Sequence, residues 1–175
     1  MSNGMKVAFG QISAGNTHYS VKDTGWFPVE VFSLRQFHHA EIDLLKKDND
    51  TVILEGEMLA SVEFLCDRCG EPFDYSMSVD FHYLFRTGED ISLHLQDMEC
   101  SEDDCETVYL DEPVIDIGEV LREQVLLAVP VRKICDDGCK GLCPVCGAVL
   151  AHEACRCSPG RPDSPFAVLE KLKNH

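Results

Sequence analysis

The chain holds no run approaching the ~18 apolar residues that a membrane-crossing helix needs. Its opening residues, MSNGMKVAFG, have neither a basic start nor an apolar stretch, so they do not read as a secretory signal. A cytoplasmic protein is expected. Positive charge is scarce: 15 Lys and Arg stand against 31 Asp and Glu, a formal net charge of −16. That deficit disfavours sequence-independent binding to nucleic acid, which relies on Lys and Arg displacing counterions from phosphates. It favours a basic partner or a small local basic patch. Between Thr87 and Leu121 there is no Lys or Arg at all, while acidic residues run from Glu89 to Glu119. This span reads either as a solvated acidic connection or as a docking face for a basic protein.

Catalytic signatures are missing as well. There is no G-x-S-x-G elbow, no phosphate-binding P-loop, no dinucleotide-binding glycine fingerprint and no H-E-x-x-H. No carboxylate pair is set apart by an apolar context. A protein that is not an enzyme is expected.

What the chain does have is cysteine, ten in all, eight of them in close pairs. Cys66-Asp67-Arg68-Cys69-Gly70 stands alone. Cys135, Cys139, Cys143, Cys146, Cys155 and Cys157 crowd the C-terminal third. Two of the pairs share the form C-x-x-C-G, a tight turn that aims two thiolates at one metal ion. Reduced cytosolic thiols at this spacing point to metal rather than to disulfides. Eight thiolates fill two four-cysteine tetrahedra, so two zinc ions are expected, in sites with no open position for chemistry. Cys155 and Cys157 complete a local set with Cys143 and Cys146. Cys66 and Cys69 would then have to meet Cys135 and Cys139 in space. Other divisions of the eight remain open, as do iron in place of zinc and His152 in place of one cysteine. Cys100 and Cys105 read as free thiols in the acidic span.

The pattern of apolar residues gives an α+β fold. A mostly antiparallel sheet or partial barrel is expected, with one covering helix and a C-terminal zinc-ribbon-like module. Short strands are expected at Met5–Ile12, Thr17–Val21 and Ala40–Leu45, with a turn at Asp48-Asn49-Asp50. Thr51–Leu65 and Glu71–Phe85 read as two long strands, the second alternating from Phe73 to Tyr83. Cys66 and Cys69 therefore lie at the tip of a long hairpin. Gly56 inside the first strand suggests a bulge or bend. A short strand at Glu106–Leu110 precedes a helix capped by Asp116. Ile117, Val120, Leu121 and Val125 make its apolar face, Leu127 and Ala128 extend it, and Pro130 marks its end. A last helix starts at Ser164 and Pro165. Residues 1–133 make one α+β domain, and residues 134–175 a cysteine-rich module and helix packed on it.

Several strings resemble the bacterial YceD family, the large-subunit ribosomal RNA accumulation proteins, which have plastid relatives. They are Leu65-Cys66-Asp67-Arg68-Cys69, the stretch Ile115–Pro130, Cys139-Lys140-Gly141-Leu142-Cys143-Pro144-Val145-Cys146-Gly147, and Pro165–Leu172. The third is the most specific. The resemblance implies a role in producing or maintaining 23S ribosomal RNA during assembly of the large subunit. It also implies a large-subunit precursor, ribosomal RNA or a basic ribosomal protein as partner. No small-molecule substrate is evident. Contact with RNA would have to use a local patch, and Arg132, Lys133, Lys140, Arg156 and Arg161 cluster in sequence around the cysteines, with Lys171 and Lys173 beyond. Two other classes fit the residues. One is a thiol redox protein or redox-switched chaperone using Cys66 and Cys69. The other is a zinc-ribbon nucleic-acid binder.

Overall fold

The computed structural model describes residues 5–13, 15–88 and 107–157. The elements in chain order are β1 (Lys6–Ala8), a turn of 3-10 helix (Phe9–Gln11), β2 (Asn16–Val21), β3 (Ser33–Lys46), β4 (Thr51–Leu65), β5 (Pro72–Thr87), β6 (Thr107–Leu110), β7 (Val114–Asp116) and α1 (Ile117–Leu127). Strands β2 to β6 form one five-stranded sheet in sequence order. Its first three pairings are antiparallel, whereas β5 and β6 run parallel. β1 and β7 pair separately as a small antiparallel sheet.

The sheet is therefore mixed, and the partial-barrel alternative is not supported. β2 and β6 are its two edges, and no pairing among the described residues joins them.

The hairpin of β4 and β5 carries the core. Its register runs without a break from Thr51 opposite Arg86 to Leu65 opposite Pro72. Strand geometry sends alternate side chains to opposite faces, so Val52, Leu54, Met58, Ala60, Val62 and Phe64 of β4 all face inward and are buried. They meet Phe85, Tyr83, Val79, Met77, Tyr75 and Phe73 of β5, directly across the ladder. Ala40, Ile42 and Leu44 of β3 extend the same face and are fully buried.

Gly56 does not mark a bulge. It pairs in register with Phe81, and a Cβ there would lie 2.5 Å from the Phe81 ring. The missing side chain makes room for that ring. The irregularities lie in β3 instead, between Leu34 and Gln36 and between Phe37 and His39. They interrupt the period-two pattern, which is why β3 is longer than the Ala40–Leu45 segment legible in the sequence. The first strand is shorter than expected, because the chain turns at Phe9 to bury that ring.

α1 lies over the sheet. Asp116 caps it, its Oδ1 accepting from the backbone N–H of Glu119 at 3.2 Å. Ile117, Val120, Leu121 and Val125 are buried, as their spacing requires. Gln124 is buried with them and donates to the Tyr83 hydroxyl at 2.6 Å, which in turn donates to Glu123. Leu127 does not extend the face: it is 68% exposed, in the last residue of the helix. No helix among the described residues is long and apolar enough to cross a membrane. Cys100, Cys105, Arg161 and the helix expected from Ser164 lie outside the described residues.

Candidate metal centres

The eight paired cysteines come together as two quartets. Cys66, Cys69, Cys135 and Cys139 form one, and Cys143, Cys146, Cys155 and Cys157 the other. In each, the four sulfurs lie within 4.8 Å of one another. His152 belongs to neither group.

The two C-x-x-C-G turns are built alike. Gly70 N–H donates to the carbonyl of Cys66 at 2.8 Å, and Gly147 N–H to that of Cys143 at 2.9 Å. Cys66 N–H donates to Glu71 and Cys143 N–H to Ala148, at 2.9 and 2.8 Å. Both glycines take positive φ, 74° at Gly70 and 75° at Gly147. A side chain would resist that backbone, so the glycine closes the turn. The result holds two thiols on one side of each loop.

The sulfur spacings fit a metal ion. Four sulfurs at the usual Zn–S length of about 2.3 Å from a tetrahedral centre lie about 3.8 Å from one another. Cys66–Cys139, Cys69–Cys135 and Cys146–Cys155 are each 3.8 Å apart, and Cys143–Cys155 is 3.3 Å. All are far beyond the ~2.05 Å of a disulfide.

Backbone donors favour ionised sulfur. Cys135 N–H points at the Cys66 sulfur at 3.4 Å, and Val145 N–H at the Cys143 sulfur at 3.5 Å. The Cys66 thiol is drawn down to about 6, first by the Cys135 N–H. Cys143 is likewise lowered to about 6, by the N–H groups of Cys146 and Val145. Crowding does the opposite to their neighbours. Hydrogen bonding to Cys66 pushes Cys135 up to about 12, and hydrogen bonding to Cys146 pushes Cys157 up to about 12. Four thiols at this spacing share protons that a bound dication displaces.

The first quartet joins parts of the chain far apart in sequence. Around it, contacts that need no metal hold the hairpin tip to residues 133–141. Asp67 N–H donates to the Lys133 carbonyl at 2.7 Å. The Asp67 carboxylate accepts from Lys133 N–H at 2.7 Å. The Arg68 guanidinium donates to the carbonyls of Asp137 and Cys139 at 3.2 and 3.0 Å. Asp67 and Arg68 fill the two positions between the hairpin cysteines, yet the C-x-x-C pattern alone does not single them out. Lys133 belongs to this joint too, its amine 5.6 Å from the centre of the Phe64 ring. Arg132, Lys140 and Arg156 are exposed on the same cysteine-rich segment.

The comparisons follow the same residues. The model of the family described as large ribosomal RNA subunit accumulation protein YceD matches residues 54–173, which include both quartets. An Arabidopsis thaliana protein named large ribosomal RNA subunit accumulation protein YCED homolog 1, chloroplastic, is 37% identical over 59 residues, 34% of this chain and 18% of that protein. A Zea mays protein of the same name is 25% identical over 128 residues, 61% of this chain and 44% of that protein. An uncharacterized Mycobacterium tuberculosis protein is 28% identical over 142 residues, 78% of this chain and 63% of that one. The chain thus spans less than two thirds of the length of each of these relatives. No solved structure matches significantly. With the family model covering well over half of its length, the chain belongs to the YceD family.

Proposed function

We propose that this chain is a non-enzymatic cytoplasmic factor in biogenesis of the large ribosomal subunit, supporting 23S ribosomal RNA accumulation. Its partners are the subunit precursor's RNA or a basic ribosomal protein. The observation that carries this is the family match over residues 54–173. The cysteines support a structural role for metal. Each quartet supplies four thiolates, the full complement of a closed zinc site, with no place left for a substrate. Zinc is the ion assigned, one per quartet. The ions complete the cysteine-rich segment, which has no regular strand or helix among its described residues beyond one isolated bridge between Leu142 and Val149.

Two surfaces serve as contacts in this reading. One is the exposed basic set Arg132, Lys140 and Arg156, with Arg161 next in sequence. The other is the acidic span between Thr87 and Leu121, taken from its charge in the sequence. Deleting the gene and separating ribosomal subunits on a gradient tests the proposal. Fewer large subunits and less 23S RNA are expected. Unchanged levels of both would sink it.

The lowered thiol of Cys66 favours a second reading, reversible thiol chemistry with Cys69. That reading requires protein purified under reducing conditions to lack metal at the first quartet and to form the Cys66–Cys69 disulfide readily. A zinc-ribbon nucleic-acid binder would instead show RNA affinity that falls steeply with salt and is lost when Arg156 and Arg161 are neutralised.

A further inference from the structure

A groove of about 410 Å³ runs between α1 and the β5–β6 edge of the sheet. That is within the range of about 300–1,000 Å³ that seats a compact ligand or a few side chains. Phe85, Ile115 and Val120 line it and are buried. Val108, Leu110 and Leu126 line it too, and Leu126 stands 46% exposed.

The charge lining this apolar trough is mainly acidic. Asp116, Glu119 and Glu123 line it at positions three and four apart, so they share one side of the helix start. Asp116 has Lys6 at 3.8 Å, and Glu123 accepts from Tyr83. Arg122 is the one cation in the lining, and its guanidinium is held by the Glu30 carboxylate. Much of the wall, from Val108 to Val120, comes from the span without Lys or Arg. Phosphate is repelled by such a rim, so RNA is a poor occupant. A cationic segment with an apolar anchor satisfies both features.

We infer that this groove docks a Lys- or Arg-rich segment of a large-subunit ribosomal protein. The segment seats an apolar side chain between Val120 and Leu126, and its cations lie against Asp116, Glu119 and Glu123. The assignment to a ribosomal protein rests on the proposed function; the chemistry of the segment rests on the groove.

The test titrates the full chain with a short synthetic lysine-rich peptide carrying two central leucines, and with a counterpart in which serines replace them. The leucine peptide is expected to bind about tenfold more tightly. Leu126→Ser and Glu123→Lys should each weaken it by about tenfold. Asp80→Lys should not, because Asp80 is exposed on the far face of β5. Equal binding of both peptides, or equal loss in Asp80→Lys, reduces the effect to general acidity and overturns the inference. A dimer abolished by Leu126→Ser would give the groove to a second copy and overturn it as well. In a deletion strain, Asp80→Lys should restore large-subunit levels and Glu123→Lys should not; equal restoration overturns the inference. If deletion itself changes nothing, the assembly reading fails while the peptide result still decides the groove's chemistry.

Discussion

Asp67 and Lys133 are joined by two hydrogen bonds. Backbone N–H of Asp67 donates to the Lys133 carbonyl, and backbone N–H of Lys133 donates to the Asp67 carboxylate, both at 2.7 Å. This pair docks the hairpin tip onto the strand of chain that carries Cys135 and Cys139. The four thiols of the first quartet are thereby held together by contacts that need no metal. Replacing a group that orients metal ligands typically weakens metal binding by about 10–100-fold. Asp67→Ala should therefore speed chelator removal of one metal ion by about tenfold and leave the other unaffected. Equal loss from both sites would contradict a role confined to the first quartet.

Gly141 and Gly147 both take positive φ, 71° and 75°, but only one is crowded. A Cβ at Gly141 would meet the Arg68 backbone carbonyl oxygen at 2.9 Å, while Gly147 has nothing within 4 Å. Gly147→Ala should cost about 1 kcal/mol, the left-handed backbone penalty alone. Gly141→Ala adds a clash with the hairpin tip and should cost about 2–3 kcal/mol. Denaturant midpoints of the two variants, measured with metal bound, check the order.

Gly56 and Phe81 make a similar pair in the sheet. Adding a methyl at Gly56 drives it into the Phe81 ring, which backbone pairing holds opposite. Gly56→Ala should lower stability by about 1–3 kcal/mol. Gly56→Ala combined with Phe81→Leu should recover part of that loss, because the ring is what the methyl meets. A fully additive double variant would contradict the packing account.

His18 ties the edge strand β2 to β3. Its Nδ1 lies 3.1 Å from Asp43 and its Nε2 3.1 Å from Glu41. The hydrogen bond to Asp43 is the main cause that raises its pKa above the ordinary 6.5, and the charges of Asp43 and Glu41 add to it against the lowering from desolvation. A raised folded-state value means the stabilisation is complete below about 6.5 and fades as pH rises through the folded value. The urea midpoint of the wild-type chain should exceed that of His18→Gln near pH 6. By about pH 9 the difference should vanish. A difference that grows with pH would contradict this sign.

The parts legible in the sequence are those governed by local pattern. Phe73–Tyr83 shows its strand period because apolar and polar residues alternate there, and Thr51–Leu65 is legible as a strand because the Asp48–Asp50 turn and Cys66 bound it. Asp116 announces α1 because a cap acts only on the next turn. The C-x-x-C-G turns are local as well, and their spacing is enough to suggest metal. The division of the quartets rests on distance: Cys66 and Cys139 are brought to 3.8 Å by the fold, across 73 positions. Nothing near Asp67 signals Lys133, which lies 66 positions away. Nor does any local period reveal the parallel pairing of β6 on β5, which the tertiary fold imposes. The two irregularities in β3 conceal half of that strand for the converse reason, since they break the period by which strands are read.

The central claim is that the eight cysteines form two closed metal centres, one of which staples the hairpin to the C-terminal segment. Metal analysis of protein purified under reducing conditions tests it most directly, with wild type, Cys139→Ser and Cys155→Ser in parallel. The account predicts two zinc ions per wild-type chain and one in each variant. It also predicts that the hairpin tip becomes more open to hydrogen exchange in Cys139→Ser than in Cys155→Ser. A metal-free wild-type chain, or one that holds a single ion which both variants lose, would contradict it.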